Sequence, residues 1–216
     1  MSKEEFNLIR PFGPPVMKVR IPEEIIHTLN NYVDEIVKNK KKSKELDHGN
    51  YLAGDVTQEI KLEPNIINSS KWGEFLSRNT AKWIQLLTQK KITEFKILDS
   101  WVVRQFKTEY NPIHWHNGHI SGAGYLKVPK NLGSHKQNKE KMKNTYTGGH
   151  LQLIHGSKMF LSSPILSISP EVGDFYFFPH YLLHTVMPFK GTDEERRSIS
   201  FNAEIDNNIY DVYANN

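Results

Sequence analysis

The sequence predicts an α+β fold, mainly β, with helices first and strands after. Three observations lead there. Two segments before residue 93 repeat apolar residues at helical spacing, and about seven short segments after residue 94 are rich in β-branched and aromatic residues. The third is size: 216 residues can bury a substantial core without crosslinks, and the chain has no cysteine to make any. The expected organisation is one domain over 1–216, with a helical flank and loop at 1–93 and a strand-built core at 94–205.

The first helix is expected over 22–38, where Ile25, Ile26, Leu29, Tyr32, Val33, Ile36 and Val37 form one stripe. Pro22 and the acidic Glu23 and Glu24 suit its start, and the lysines beyond suit its end. The second is expected over 70–88, carrying Trp72, Phe75, Leu76, Trp83, Ile84, Leu86 and Leu87, with Ser69 or Ser70 as N-cap. Residues 41–68 between them show little periodicity and read as mixed loop.

From residue 94 the pattern changes. "FKILDSWVVRQFK", "HISGAGYLKV", "GHLQLIH", "KMFLSSPILSIS", "GDFYFFP", "LLHTVMPF" and "RRSISFNAEI" are short segments bounded by Gly, Pro, Asn or Ser. So many short strands at this spacing fit a sandwich, a barrel or a jelly roll. Residues 129–148 are polar and lysine-rich, as expected of a mobile loop able to act as a lid.

Composition narrows the function. No apolar run nears the roughly 20 residues that span a bilayer, and the N-terminus has no apolar signal core, so a soluble, cytoplasmic protein is expected. The net charge of +4 sits largely in "KNKKKSK" (38–44) and "HKQNKEKMK" (135–143). Neither run interleaves aromatics for base stacking, so a peptide or small molecule is favoured over nucleic acid as partner. Oligomeric state is not legible.

The segment "NPIHWHNGHISGAGYL" raises the question of chemistry. In an extended chain His114 and His116 point to one face and can turn a nitrogen each to one ion. His119 has the opposite parity, near a glycine bend, and is set aside as structural. Further on, His184 stands in the apolar run "LLHTVMP". Such a histidine is more often a hydrogen-bonded core residue, but beside a distant His-x-His pair it completes three imidazoles on neighbouring strands. Three protein ligands with open positions are the mark of a reactive metal site. His180 lies in the turn after Pro179 and is expected to face solvent.

"ERRSISFNAE" puts Arg196, Ser198, Ser200 and Asn202 on one strand face, and Arg197, Ile199 and Phe201 on the other. Next to a metal, Arg196 and Ser198 make a carboxylate clamp: a bidentate guanidinium fork plus a hydroxyl donor. Alone, the same pattern describes an ordinary surface strand.

Taken in order, His-x-His, "GYL", "GGHLQL" and "GDFYFFP…LLHTVMP…RRSISFN" resemble the 2-oxoglutarate- and Fe(II)-dependent oxygenases, and within them a small phage and bacterial branch similar to prolyl-hydroxylase-type enzymes. The resemblance covers about residues 95–205. It implies a double-stranded β-helix, a jelly-roll or cupin-like barrel flanked by the N-terminal helices, using Fe(II) and the cosubstrate 2-oxoglutarate. It matches His114, His116 and His184 to the metal ligands, Arg196 and Ser198 to the distal carboxylate of 2-oxoglutarate, with Arg197 as fallback, and Tyr125 to a tyrosine that also reaches the cosubstrate. The implied activity is hydroxylation of an unidentified substrate, a peptide prolyl residue among the options, with 2-oxoglutarate decarboxylated to succinate.

One departure stands out. The family's carboxylate ligand falls on His116, which leaves the centre one negative charge poorer and suits Zn(II) as well as Fe(II). Two rivals follow: a non-oxidative three-histidine jelly roll, and a cupin-like dioxygenase that needs no 2-oxoglutarate. The spacing of twelve residues from His184 to Arg196 favours the 2-oxoglutarate reading.

Overall fold

The computed structural model describes residues 6–9, 13–134 and 146–214. Its strands are β1 (Phe6–Ile9), β2 (Val16–Arg20), β3 (Gln58–Lys61), β4 (Phe95–Gln105), β5 (Asn111–His114), β6 (Ile120–Lys127), β7 (Leu151–Ile154), β8 (Ile165–Ile168), β9 (Asp174–Pro179), β10 (Leu183–Val186) and β11 (Arg196–Ile205). The helices are α1 (Glu23–Lys38), α2 (Lys40–Glu45), α3 (Pro64–Ser69), α4 (Trp72–Thr88) and α5 (Asn207–Ala214).

The strands build two antiparallel sheets. One has seven strands in the order β1-β2-β9-β6-β11-β4-β3, the other four in the order β5-β10-β7-β8. Strict alternation gives the large sheet two unlike faces. Val102, Phe175, Phe177, Ile199 and Phe201 point one way and pack with Ile25, Leu29 and Val33 of α1 and Trp72, Phe75 and Trp83 of α4 in one cluster. Tyr125, Tyr176 and Phe178 point the other way and meet Leu151 and Leu153 of the small sheet. Between the sheets lies the interior of the barrel.

β6 shows why its sequence reads "GAG". A methyl on Gly122 would lie 2.7 Å from Phe175 Cε1, so glycine gives the aromatic face its room. At the C-terminal side, Asp206 accepts from the Thr93 and Glu94 amides at 2.9 and 3.0 Å and ties the start of β4 to the end of β11.

The two expected helices form, with adjustments. α4 begins at Trp72, because α3 runs up to Ser69 and Lys71 adopts a left-handed φ of 61° between them. Ser70 still serves, its Oγ accepting from Trp72 N at 3.3 Å. Leu86 is 48% exposed. At 100° per residue, Ile84 and Leu86 fall at the two edges of an arc centred near Trp83 and Leu87, too wide to bury whole. The 41–68 loop in fact holds α3, β3 and part of α2, which is capped by the Asn39 side chain accepting from Lys42 N at 3.2 Å. Elements of four to six residues are too short to show a period. β1, β2 and α5 likewise carry no sequence signal strong enough to name them.

Of the proposed lid at 129–148, residues 135–145 lie outside the described residues. Its two stems meet: the Tyr146 hydroxyl donates to Leu132 O at 2.9 Å, and Lys190 N donates to the same carbonyl at 3.2 Å. Among the described residues no helix is long and apolar enough to cross a membrane.

Candidate metal centre

His114 on β5 and His184 on β10 are direct cross-strand partners, so both side chains enter the barrel at the same level. His116 follows two residues after β5 ends. Ligand nitrogens of the three rings lie within 4.8 Å of one another, the group of this kind found among the described residues. Phe178 packs 5.0 Å from the His184 ring and Trp101 sits edge-on to His116 at 5.4 Å, so aromatic walls hold the imidazoles.

Hydrogen bonds decide which nitrogens are free. His114 Nδ1–H donates to Pro112 O at 2.7 Å, and His184 Nδ1–H donates to Leu182 O at 2.8 Å. Each Nε2 therefore carries a lone pair, and a carbonyl orients each ring from behind. Burial pushes all three imidazoles below their ordinary pKa, and repulsion from neighbouring histidines adds to it at His116 and His184, so they are neutral near pH 7. His116 Nε2 approaches His184 Nε2 at 3.1 Å. Two nitrogens each about 2.1 Å from a shared ion and about 90° apart stand about 3 Å from each other, so the spacing fits a divalent metal.

The same cavity, about 690 Å³, is lined by the three histidines, Tyr125, Arg196 and Ser198. Arg196 is 1% exposed. It donates to Gln105 Oε1 at 3.0 Å and to Ser198 Oγ at 3.4 Å, and its guanidinium carbon lies 5.0 Å from the Tyr125 ring centre. Its Nε and the Tyr125 hydroxyl make no well-formed hydrogen bond, although both are buried and the two side chains lie close enough to feel each other's charge. Among the described residues no carboxylate pairs with Arg196. A buried guanidinium without a counter-ion is costly and calls for an anion. Three neutral imidazoles and one unpaired arginine thus suit a metal bound together with a carboxylate ligand.

Arg197, the fallback, is excluded by parity. It points to the helix side, where Glu195 accepts from Nε at 2.8 Å, Asp34 from Nη2 at 2.7 Å and Asn30 Oδ1 from Nη1 at 3.0 Å. His119 is structural as expected: its ring stacks on Tyr210 at 3.9 Å and accepts from Ile205 N at 3.1 Å. His180 does not face solvent freely. Its Nδ1–H donates to His116 O at 2.9 Å and its Nε2 accepts from the Tyr210 hydroxyl at 2.8 Å, because α5 folds back against this turn.

Sequence reasoning misses Glu59 and Asn111. Glu59 of β3 pairs with Val103, which pairs with Ser198, which pairs with Tyr125, so one row across the sheet runs into the cavity. Glu59 is buried, its Oε2 has no partner, and desolvation raises its pKa to about 7. Its segment reads as loop, which hides the parity that would place it.

Residues 99–202 match the model of the family described as "Putative 2OG-Fe(II) oxygenase". No curated protein matches the chain by sequence. Solved structures do resemble it. A viral collagen prolyl hydroxylase from Paramecium Bursaria Chlorella virus-1, a complex with 2OG, is 17% identical, covers 87% of this chain and 94% of its own, and has a TM-score of 0.51. A prolyl-4-hydroxylase of Pseudomonas putida is 13% identical over 93% of this chain and 94% of its own, at 0.54. A Trichoplax adhaerens prolyl hydroxylase, in complex with a hypoxia inducible factor oxygen degradation domain peptide fragment, is 12% identical over 97% and 87%, at 0.56. At such identities the likeness speaks for the fold, and the two facing sheets are a double-stranded β-helix.

Proposed function

With its barrel core, residues 99–202, a 2-oxoglutarate/Fe(II) oxygenase domain, we propose that this protein hydroxylates a peptide substrate, a prolyl residue first among the candidates. Fe(II) and 2-oxoglutarate, the family's metal and cosubstrate, supply when bound the oxidation of a substrate C–H bond by dioxygen, coupled to decarboxylation to succinate.

In this reading His114, His116 and His184 hold the metal through neutral imidazoles, two of them oriented by carbonyls behind them. Arg196 receives the distal carboxylate, helped by the Ser198 and Tyr125 hydroxyls. These donors are already in place, so binding costs little reorganisation. The dianionic cosubstrate also restores negative charge that a third histidine, in place of a carboxylate, does not bring. Phe178, Leu151 and Val186 bring apolar surface to the same cavity.

The single observation that carries the proposal is the meeting, in one cavity, of a three-histidine cluster and a buried arginine with no counter-ion. For a peptide substrate, support comes from the cavity mouth, where Trp115 is 64% and Tyr51 80% exposed, and from the prolyl hydroxylases of the same fold. We take 1–216 to work as one unit, since α1 and α4 bury the outer face of the barrel's large sheet. A reducing cytoplasm suits the cysteine-free chain.

The test is succinate formation from 2-oxoglutarate with Fe(II) and air, with and without proline-containing peptides. Turnover that rises with a peptide and vanishes in His184→Ala supports the reading. No succinate above that variant, under any of these conditions, contradicts it.

A further inference from the structure

The three imidazoles are not held alike. His114 and His184 sit in paired strands, and each donates Nδ1–H to a carbonyl two residues back. His116 has neither support. β5 has ended before it, and among the described residues its ring makes no hydrogen bond other than the approach to His184.

What fixes His116 is its main chain, gripped twice by one residue. Its N–H donates to His180 O at 3.0 Å, and its C=O accepts from His180 Nδ1–H at 2.9 Å. His180 is itself tied to the barrel, its N–H donating to His119 O at 3.3 Å. Its far nitrogen accepts from the Tyr210 hydroxyl at 2.8 Å, which keeps the proton on Nδ1, where His116 O needs it. Tyr210 belongs to α5 and is stacked on His119 at 3.9 Å and 10°. A continuous chain of contacts runs from the C-terminal helix through Tyr210 and His180 to His116.

We infer that His180 and Tyr210 are positioning residues for the metal centre, with α5 setting the place of the third histidine. The inference rests on the metal-binding reading above. It explains how a ligand beyond the end of its strand is kept in register with two ligands inside strands. Outer partners that orient a metal ligand typically contribute about 10–100-fold in affinity, and here the orientation of His116 is set through its main chain.

The test uses the full chain without 2-oxoglutarate and Co(II) as probe, read by its visible d–d absorption, with the melting midpoint of the metal-free protein measured alongside. His180→Ala is expected to weaken Co(II) binding by about 10–100-fold and to change the band, with little change in metal-free melting. His180→Asn puts an amide N–H where Nδ1–H stood and is expected to recover most of the affinity. Tyr210→Phe is expected to fall between wild type and His180→Ala. Co(II) affinity in His180→Ala equal to wild type overturns the inference and leaves the metal centre standing. Equal losses of affinity and metal-free melting in all three variants also overturn it, as a purely structural role. If His180→Ala does not fold, Tyr210→Phe decides: reduced affinity at unchanged melting supports, unchanged affinity overturns. A folded wild type that binds no Co(II) overturns the metal-centre reading itself.

Discussion

Arg196 and Arg197 are neighbours on β11, both almost fully buried, yet they live in opposite electrostatic worlds. Arg197 faces the helices and is satisfied by Glu195, Asp34 and Asn30. Arg196 faces the barrel and is left with a glutamine, a serine and an unpartnered Nε. The contrast extends to the whole large sheet. Its helix side is nearly finished: phenylalanines interlock and the charge of Arg197 is paired, leaving the neutral Thr80 hydroxyl and Trp83 Nε1–H of α4 without a partner. Its barrel side keeps open valences at Arg196, Tyr125 and Glu59. Folding completes most of one face; the other, in the proposed reading, is completed by what binds there.

The sharpest way to break this comparison is to remove a ligand. His184→Ala or His114→Ala is expected to lower metal affinity by more than about 100-fold and to abolish turnover, as read by calorimetry and succinate assay. Swapping the arginines comes next. Arg196→Met is expected to raise the Kd for 2-oxoglutarate by about 100-fold, with stability equal or improved, because an unpaired buried charge is removed. Arg197→Met is expected to do the reverse. It costs about 2 kcal/mol in urea unfolding, by leaving the buried Glu195 with Arg104 alone and Asn30 Oδ1 without its donor, while the folded fraction binds 2-oxoglutarate as wild type does. If both arginines affected the same observable, the two faces would not be distinct.

A third test concerns Glu59, whose pKa is raised to about 7 by desolvation. Burial favours its protonated form, so its contribution to stability is full below the ordinary carboxylate range and is lost as pH rises through about 7. Glu59→Gln is neutral throughout. Its stability relative to wild type should therefore grow by about 2 kcal/mol between pH 5 and pH 8, measured by urea midpoints. A flat difference would mean that the carboxyl is not desolvated. The smallest effect is expected for Ser198→Ala, about 1 kcal/mol in 2-oxoglutarate affinity with no change in melting.

The regions differ likewise in how far the sequence reveals them. α1, α4, β4 and the strands from β6 onward announce themselves by long stripes or bounded aromatic runs, and alternation along "ERRSISFNAE" is enough to send Arg196 and Arg197 to opposite faces. The three histidines are legible from His-x-His plus a distant histidine, although His116 turns out to lie beyond the strand that motivates the pairing. What stays hidden depends on contacts far apart in sequence. Glu59 is brought into the cavity by pairing of a four-residue strand, and His180 is turned from solvent by Tyr210 of α5, 30 residues on. No local period encodes either.

The proposed site joins the three histidines to Arg196 through metal and 2-oxoglutarate. Anaerobic titration of the wild-type protein with Fe(II) and then 2-oxoglutarate tests it most directly, through the visible metal-to-ligand charge-transfer band. A saturable band is expected in wild type and Arg197→Met, displaced to about 100-fold higher 2-oxoglutarate in Arg196→Met, and absent in His184→Ala. No band in folded wild-type protein, or a band indifferent to Arg196, would contradict it.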